Sequence, residues 1–176
     1  TIKQTPVVFG ESDLLKTILL LPGVSNAGEG ASGFNVRGGA ADQNLILFDE
    51  AIIYNSSHLF GLFSVFNSDA IKEVKLFKGG IPASYGGRVS SVLDVYQKDG
   101  NKNELKFNGG IGAISSRFLV EGPIQTEKSS FLIASRGTYA HLFLKLTDNP
   151  NSAYFYDLNT KMSFPINDHN KLYLSG

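Results

Sequence analysis

The stretch Tyr154-Phe-Tyr-Asp-Leu-Asn-Thr-Lys-Met-Ser-Phe164 decides the fold. Tyr154, Tyr156, Leu158, Thr160, Met162 and Phe164 fall on one face, opposite Asp157, Asn159, Lys161 and Ser163. Successive residues of a strand point to opposite sides, so this period of two predicts a strand with one apolar and one polar face. Two environments produce such a strand. A sheet in water buries the apolar face, whereas an outer-membrane barrel turns it to lipid and directs the polar face to a lumen. Periodicity does not choose between them.

Outward from this stretch, LKFNGGIGA (105–113), SRFLVEG (116–122), SFLIASRGTY (130–139) and KLYLSG (171–176) read as further strands. PIQTEK (123–128) and PINDHN (165–170) are short turns, and KLTDNPNSA (145–153) is a longer polar loop, an asymmetry that matches a barrel. Helix and strand are mixed before the polar run at Lys98–Glu104, where Asp99-Gly100 signals a turn. ESDLLKTILLLPG (11–23) predicts a helix with Ser12 as N-cap and Pro22-Gly23 as its stop. DAIKE (69–73) predicts a second, short helix capped by Asn67 or Ser68. FNVRGG, NLILFDEAIIY, VKLFKGG and VSSVLDVYQ read as strands, the second broken around Asp49-Glu50. The pairs Gly38-Gly39, Gly79-Gly80 and Gly86-Gly87 suit turns or close backbone approach.

Composition narrows the chemistry. Sixteen basic and sixteen acidic residues among 176 leave no net charge to attract nucleic acid. The absence of cysteine removes disulfides, thiolate metal sites and thiol nucleophiles. His58, His141 and His169 lack metal-ligand spacing, and adjacent Asp49 and Glu50 point apart in a strand, poorly placed to flank one bond. No GxxxxGK[ST] run occurs, and FKGGIPASYGG lacks the spacing of a dinucleotide site. No apolar run reaches the length of a membrane helix. The abrupt edges at Thr1 and Gly176 suggest a segment of a longer protein.

In order and spacing, SDLLKTILLLPGV, GFNVRGG, QNLILFDEAIIYN, DAIKEVKLFKGG and PASYGGRVSSVLDV resemble the plug domain of TonB-dependent outer-membrane receptors, over roughly residues 7 to 97. YNSSHLFGLFSVFN and YGGRVSSVLDV are similar to a branch common among Bacteroidetes-like receptors. The resemblance implies an α+β fold: a compact plug over 1–100, then antiparallel strands over 101–176 that begin an incomplete transmembrane barrel. It further implies that the full-length parent lies in the cell outer membrane and takes up a ligand, with the plug gating the barrel. TonB and its inner-membrane complex would supply the energy, and a surface lipoprotein is a candidate partner. The ligand would be a siderophore, cobalamin, glycan or peptide, with no cofactor and no enzymatic step. Arg37 and Arg88 correspond to plug arginines that pair with acidic residues of the barrel wall. The family's usual Asp-Gly is replaced by Asp49-Glu50, which puts that turn's geometry in question. Two small or polar segments are candidates to face the ligand: Asn26, Glu29 and Ser32 in one, Tyr54, Asn55 and His58 in the other. The competing reading is a soluble carbohydrate-binding or periplasmic interaction module. It requires the apolar faces after Glu104 to close into a core.

Overall fold

The computed structural model describes residues 13–28, 33–59, 61–139, 141 and 154–176, so Ser12, Glu29, Ser32 and the loop 145–153 lie outside the described residues. The chain divides into two compact units, with the boundary between Gln97 and Lys98. The structure is mostly β, with a small helical contribution in the first unit and open sheets.

The first unit opens with helix α1, Leu14–Ile18, capped by Asp13. The Asp13 Oδ1 accepts the Lys16 N–H at 3.1 Å, and its Oδ2 accepts the Ser64 N–H at 2.7 Å. One buried carboxylate therefore caps the start of the helix and ties it to a strand 51 residues away. Leu14, Leu15 and Ile18 are the buried face. Strands β1 (Val24–Asn26) and β2 (Phe34–Val36) pair antiparallel. Next come β3 (Asn44–Phe48), β4 (Ala51–Ile52), β5 (Ser57–His58), β6 (Phe63–Ser64), β7 (Ile71–Phe77) and β8 (Ser91–Gln97).

The central sheet runs β4-β3-β8-β7, with β3 and β8 parallel and the outer pairs antiparallel. β8 is buried along nearly its whole length because both faces are covered, as parallel pairing favours. Ile46, Leu93 and Val95 pack with α1, Phe34 and Phe66, while Leu45, Leu47 and Val92 form a second cluster with Phe77, Ile81 and Tyr85. The two-residue turn between β3 and β4 keeps hairpin geometry despite Glu50, since Asp49 and Glu50 both take positive φ, 46° and 70°.

The predicted helix at DAIKE does not form. Asn67 is buried; its Oδ1 accepts the Asp69 N–H at 3.0 Å, and its carbonyl accepts the Ala70 N–H at 3.0 Å. This local turn consumes the residues that would start a helix, and Ile71 passes directly into β7.

The second unit is a five-stranded antiparallel sheet, β13-β12-β11-β10-β9, in which each strand neighbours the next in sequence. Its strands are β9 (Lys106–Ile111), β10 (Ser115–Gln125), β11 (Ser129–Thr138), β12 (Tyr156–Pro165) and β13 (Lys171–Ser175). Each of the five strand candidates after Glu104 is found. The sheet's two edges, β9 and β13, do not meet.

Loss of the Asp13 carboxylate should uncouple α1 from β6. Asp13→Ala removes a cap and leaves the Ser64 N–H buried without an acceptor, for a cost of about 2–4 kcal/mol. Hydrogen exchange should show protection falling at both Lys16 and Ser64. A loss confined to Lys16 would mean that Asp13 does nothing beyond capping.

Candidate functional site

Register fixes which residues of the second sheet share a face. Arg117 lies opposite Arg136, Arg136 opposite Asp157, and Leu132 opposite both Glu121 and Lys161. Ser130 opposite Ser163 completes a predominantly polar surface. On the other face stand Phe107, Phe118, Val120, Phe131, Ile133, Leu158, Met162 and Leu174. Burial is inverted relative to a protein in water. Arg136 and Lys161 are 3% and 6% exposed, whereas Phe107, Tyr156 and Leu158 are 65%, 79% and 61% exposed. The buried charges are compensated within the unit. Arg136 Nε donates to Asp157 Oδ2 at 2.9 Å, its Nη2 pairs with the same oxygen, and its guanidinium lies 5.2 Å from the Phe155 ring centroid. Lys161 Nζ is 3.4 Å from the Asp99 carboxylate and 5.2 Å from the Tyr173 ring centroid.

In the first unit, Arg37 and Arg88 are both exposed. Arg37 has φ 50°; its N–H donates to the Gly23 carbonyl at 2.9 Å, and its guanidinium rests against Gly79, where an added Cβ would stand 2.8 Å from Nη1. Arg88 Nη1 donates to the Gly87 carbonyl at 2.9 Å. Among the described residues neither arginine is in an ion pair. Gly38, Gly80 and Gly87 take positive φ with open space around them, and Gly86 has open space at an ordinary φ. Gly39 is the position where packing demands glycine: a Cβ would meet Ser90 Cβ at 2.7 Å. The Ser90 hydroxyl is held there by donating to the Val36 carbonyl at 3.0 Å.

Tyr54, exposed, and Arg88 help line an open cleft of about 420 Å³, along with Asp42, Asn44 and Ser56. Asn55, exposed, lies between the lining residues Tyr54 and Ser56, its Oδ1 accepting the Ser57 N–H, and His58 is half-buried in β5. Asn26, exposed at the end of β1, accepts the Gly28 N–H. The structure does not place Asn26 on the cleft beside Tyr54. Among the described residues no three His, Cys, Asp or Glu side chains gather as a metal site, and no helix is long and apolar enough to cross a membrane.

Asp94 went unrecognised in the sequence. It is 1% exposed on β8, on the same face as Val92 and Tyr96. Its Oδ2 accepts the hydroxyls of Tyr85 at 2.7 Å and Tyr96 at 2.6 Å. Both phenols are pushed above their ordinary range, first by hydrogen bonding to the Asp94 carboxylate and then by desolvation. The available signal was an acid on the inward period of a strand, VSSVLDVYQ, whose other inward residues are apolar or aromatic.

The first unit is thus a four-stranded mixed sheet with its helix and glycine turns, and the second an open antiparallel sheet that buries charge. Residues 7–92 match the family model of the TonB-dependent receptor plug domain. The first unit is accordingly similar to a TonB-dependent receptor plug domain, and the second is an open antiparallel sheet. The fold is similar to that of the siderophore receptor PirA from Acinetobacter baumannii, at 20% identity and TM-score 0.64 over 93% of this chain. It is also similar to the ferric enterobactin receptor PfeA from Pseudomonas aeruginosa, an R480A mutant in complex with enterobactin, at 18% identity and TM-score 0.63 over 93% of this chain. The chain spans 28% and 30% of those two structures. No curated protein matches it.

Truncating one partner of the buried pair tests its role in the sheet. Asp157→Ala should cost about 3–5 kcal/mol by leaving the Arg136 guanidinium without its carboxylate, whereas Arg136→Met with Asp157→Leu should recover most of that loss. Urea midpoints of the unaltered protein and the two variants measure it; a double variant as unstable as the single one would refute charge compensation.

Proposed function

We propose that the intact protein is an outer-membrane receptor for TonB-coupled uptake, with a plug over residues 1–100 and barrel strands over 101–176. The inverted burial of the second sheet carries this reading. A face bearing Phe107, Phe118, Leu158 and Leu174 is stable against lipid, and a face bearing Arg136 and Lys161 suits a lumen filled by protein or water. A soluble binding module would need the opposite arrangement. The edges β9 and β13 would be paired by further strands, because lipid offers no hydrogen bonds to an open edge.

In this reading the plug gates the barrel and performs no covalent chemistry on its ligand. TonB and its inner-membrane complex energise the movement. Arg37 and Arg88 hold the plug by pairing with acidic residues of the wall, a role supported by their exposure and by their lack of an ion pair among the described residues. Arginine's planar, multidonor head suits such pairing. The segments around Asn26 and around Tyr54, Asn55 and His58 face the ligand. The two similar structures are a siderophore receptor and a ferric enterobactin receptor, which makes an iron chelate the first ligand to try. Cobalamin, glycans and peptides follow, with a surface lipoprotein as a candidate partner for the larger ligands. YNSSHLFGLFSVFN and YGGRVSSVLDV point to the Bacteroidetes-like branch.

The full-length receptor tests this. Replacing Arg37 and Arg88 together with Ala should raise small-solute leakage several-fold and depress energised uptake, while replacing Lys98 and Lys102 should do neither. Leakage and uptake unchanged in the double arginine variant would remove the anchoring role. Uptake that persists without TonB would remove the receptor mechanism.

A further inference from the structure

The Leu45–Leu47 side of the plug sheet holds a carboxylate that its surroundings leave half satisfied. Asp94 Oδ2 is saturated by the two tyrosine hydroxyls, while Oδ1, equally shielded from solvent, has no hydrogen-bond partner. Leaving an acceptor in that state costs free energy, so its persistence calls for a donor. Asp94, Tyr85, Tyr96 and Glu50 line one open cleft of about 470 Å³, with Leu45 and Leu47 among its apolar residues. Glu50 is close enough to act electrostatically on the Tyr85 hydroxyl. Lys75, opposite Asp94 in register, is engaged elsewhere: its Nζ lies 5.1 Å from the Tyr96 ring centroid and 3.5 Å from the Glu73 carboxylate.

We propose that this cleft binds a primary ammonium group. Two carboxylates and two aromatic rings around an apolar wall are the elements that recognise an organic cation. The choice of ammonium over guanidinium follows from Asp94. With Oδ2 already taken by two donors, the carboxylate has a single oxygen to offer and cannot accept the two-pronged approach of a guanidinium. A compact ammonium with three independent donors needs only that oxygen, and can reach Glu50 with another. Tyr85 comes from the loop between β7 and β8 rather than from the sheet, and it is the donor that shifts as the ammonium reaches Oδ1. The ammonium has two sources: a free organic amine, or a lysine delivered by polypeptide outside the described unit. The inference stands on the cleft alone and does not depend on the uptake reading.

Tyrosine ring-carbon NMR of the whole protein in detergent micelles tests it, with n-butylammonium as probe and n-butanol as its neutral counterpart. Saturable shifts at Tyr85 and Tyr96 with the amine, and none with the alcohol, are expected if the source is a free amine. Glu50→Gln and Asp94→Asn should each weaken that binding, the latter by about tenfold, the loss of one charge-assisted contact. The Glu50 variant keeps the test valid if Asp94→Asn misfolds. If a lysine already fills the cleft, the added amine will not bind, and carbodiimide activation will join Asp94 or Glu50 to a lysine other than Lys75. Equal shifts with n-butanol, or neither amine binding nor such a crosslink, or a crosslink to Lys75 alone, would overturn the proposal.

Discussion

A sheet that buries Arg136, Asp157 and Lys161 while baring Phe107, Tyr156 and Leu158 imposes one constraint on everything around it. In water, such an arrangement forfeits the hydrophobic effect and adds the desolvation of charge. It becomes favourable only when the outer face meets hydrocarbon and each inner charge meets a counter-charge. The second requirement is met within the unit by Asp157 under Arg136 and by Asp99 under Lys161. In the proposed reading the first is met by lipid, with closure and a filled lumen as its corollaries.

The first unit answers to different rules. Its central pair, β3 and β8, is covered on both faces, so it carries two small apolar clusters rather than one. Polar residues enter this core only where backbone donors or hydroxyls receive them, as at Asp13 and Asn67. Asp94 departs from this at one carboxylate oxygen, as Asn67 does at its amide nitrogen, neither of which meets a hydrogen-bond partner. The half-met carboxylate of Asp94 lies on a cleft, where a further donor has room to reach it.

Much of this was legible in the sequence, for a definite reason. Strands β9 to β13 and helix α1 are spelled by periodicity, which depends only on backbone geometry. The direction of the second sheet was not legible, since a period of two is symmetrical: YFYDLNTKMSF reads the same whether its tyrosines face a core or a bilayer. DAIKE misled because its competitor was a side-chain turn set by buried Asn67, whose burial is a tertiary fact. Glu50 had cast doubt on a turn that forms regardless, because the parallel strands behind it hold the hairpin and Asp49 Oδ1 accepts the Gln97 N–H. Asp94 looked like one more residue of an alternating strand; nothing local announces that two tyrosines will converge on one of its oxygens.

The topology also sets an order in time. In the second unit every strand pairs with its neighbour in sequence, so its contacts are short-range and quick to make. The plug sheet cannot exist until Asn44–Phe48 finds Ser91–Gln97, a parallel pairing that closes a long loop holding β4 to β7. The second unit's pairings therefore close short loops, whereas the first unit's central strands stay unpaired with each other until the long loop closes.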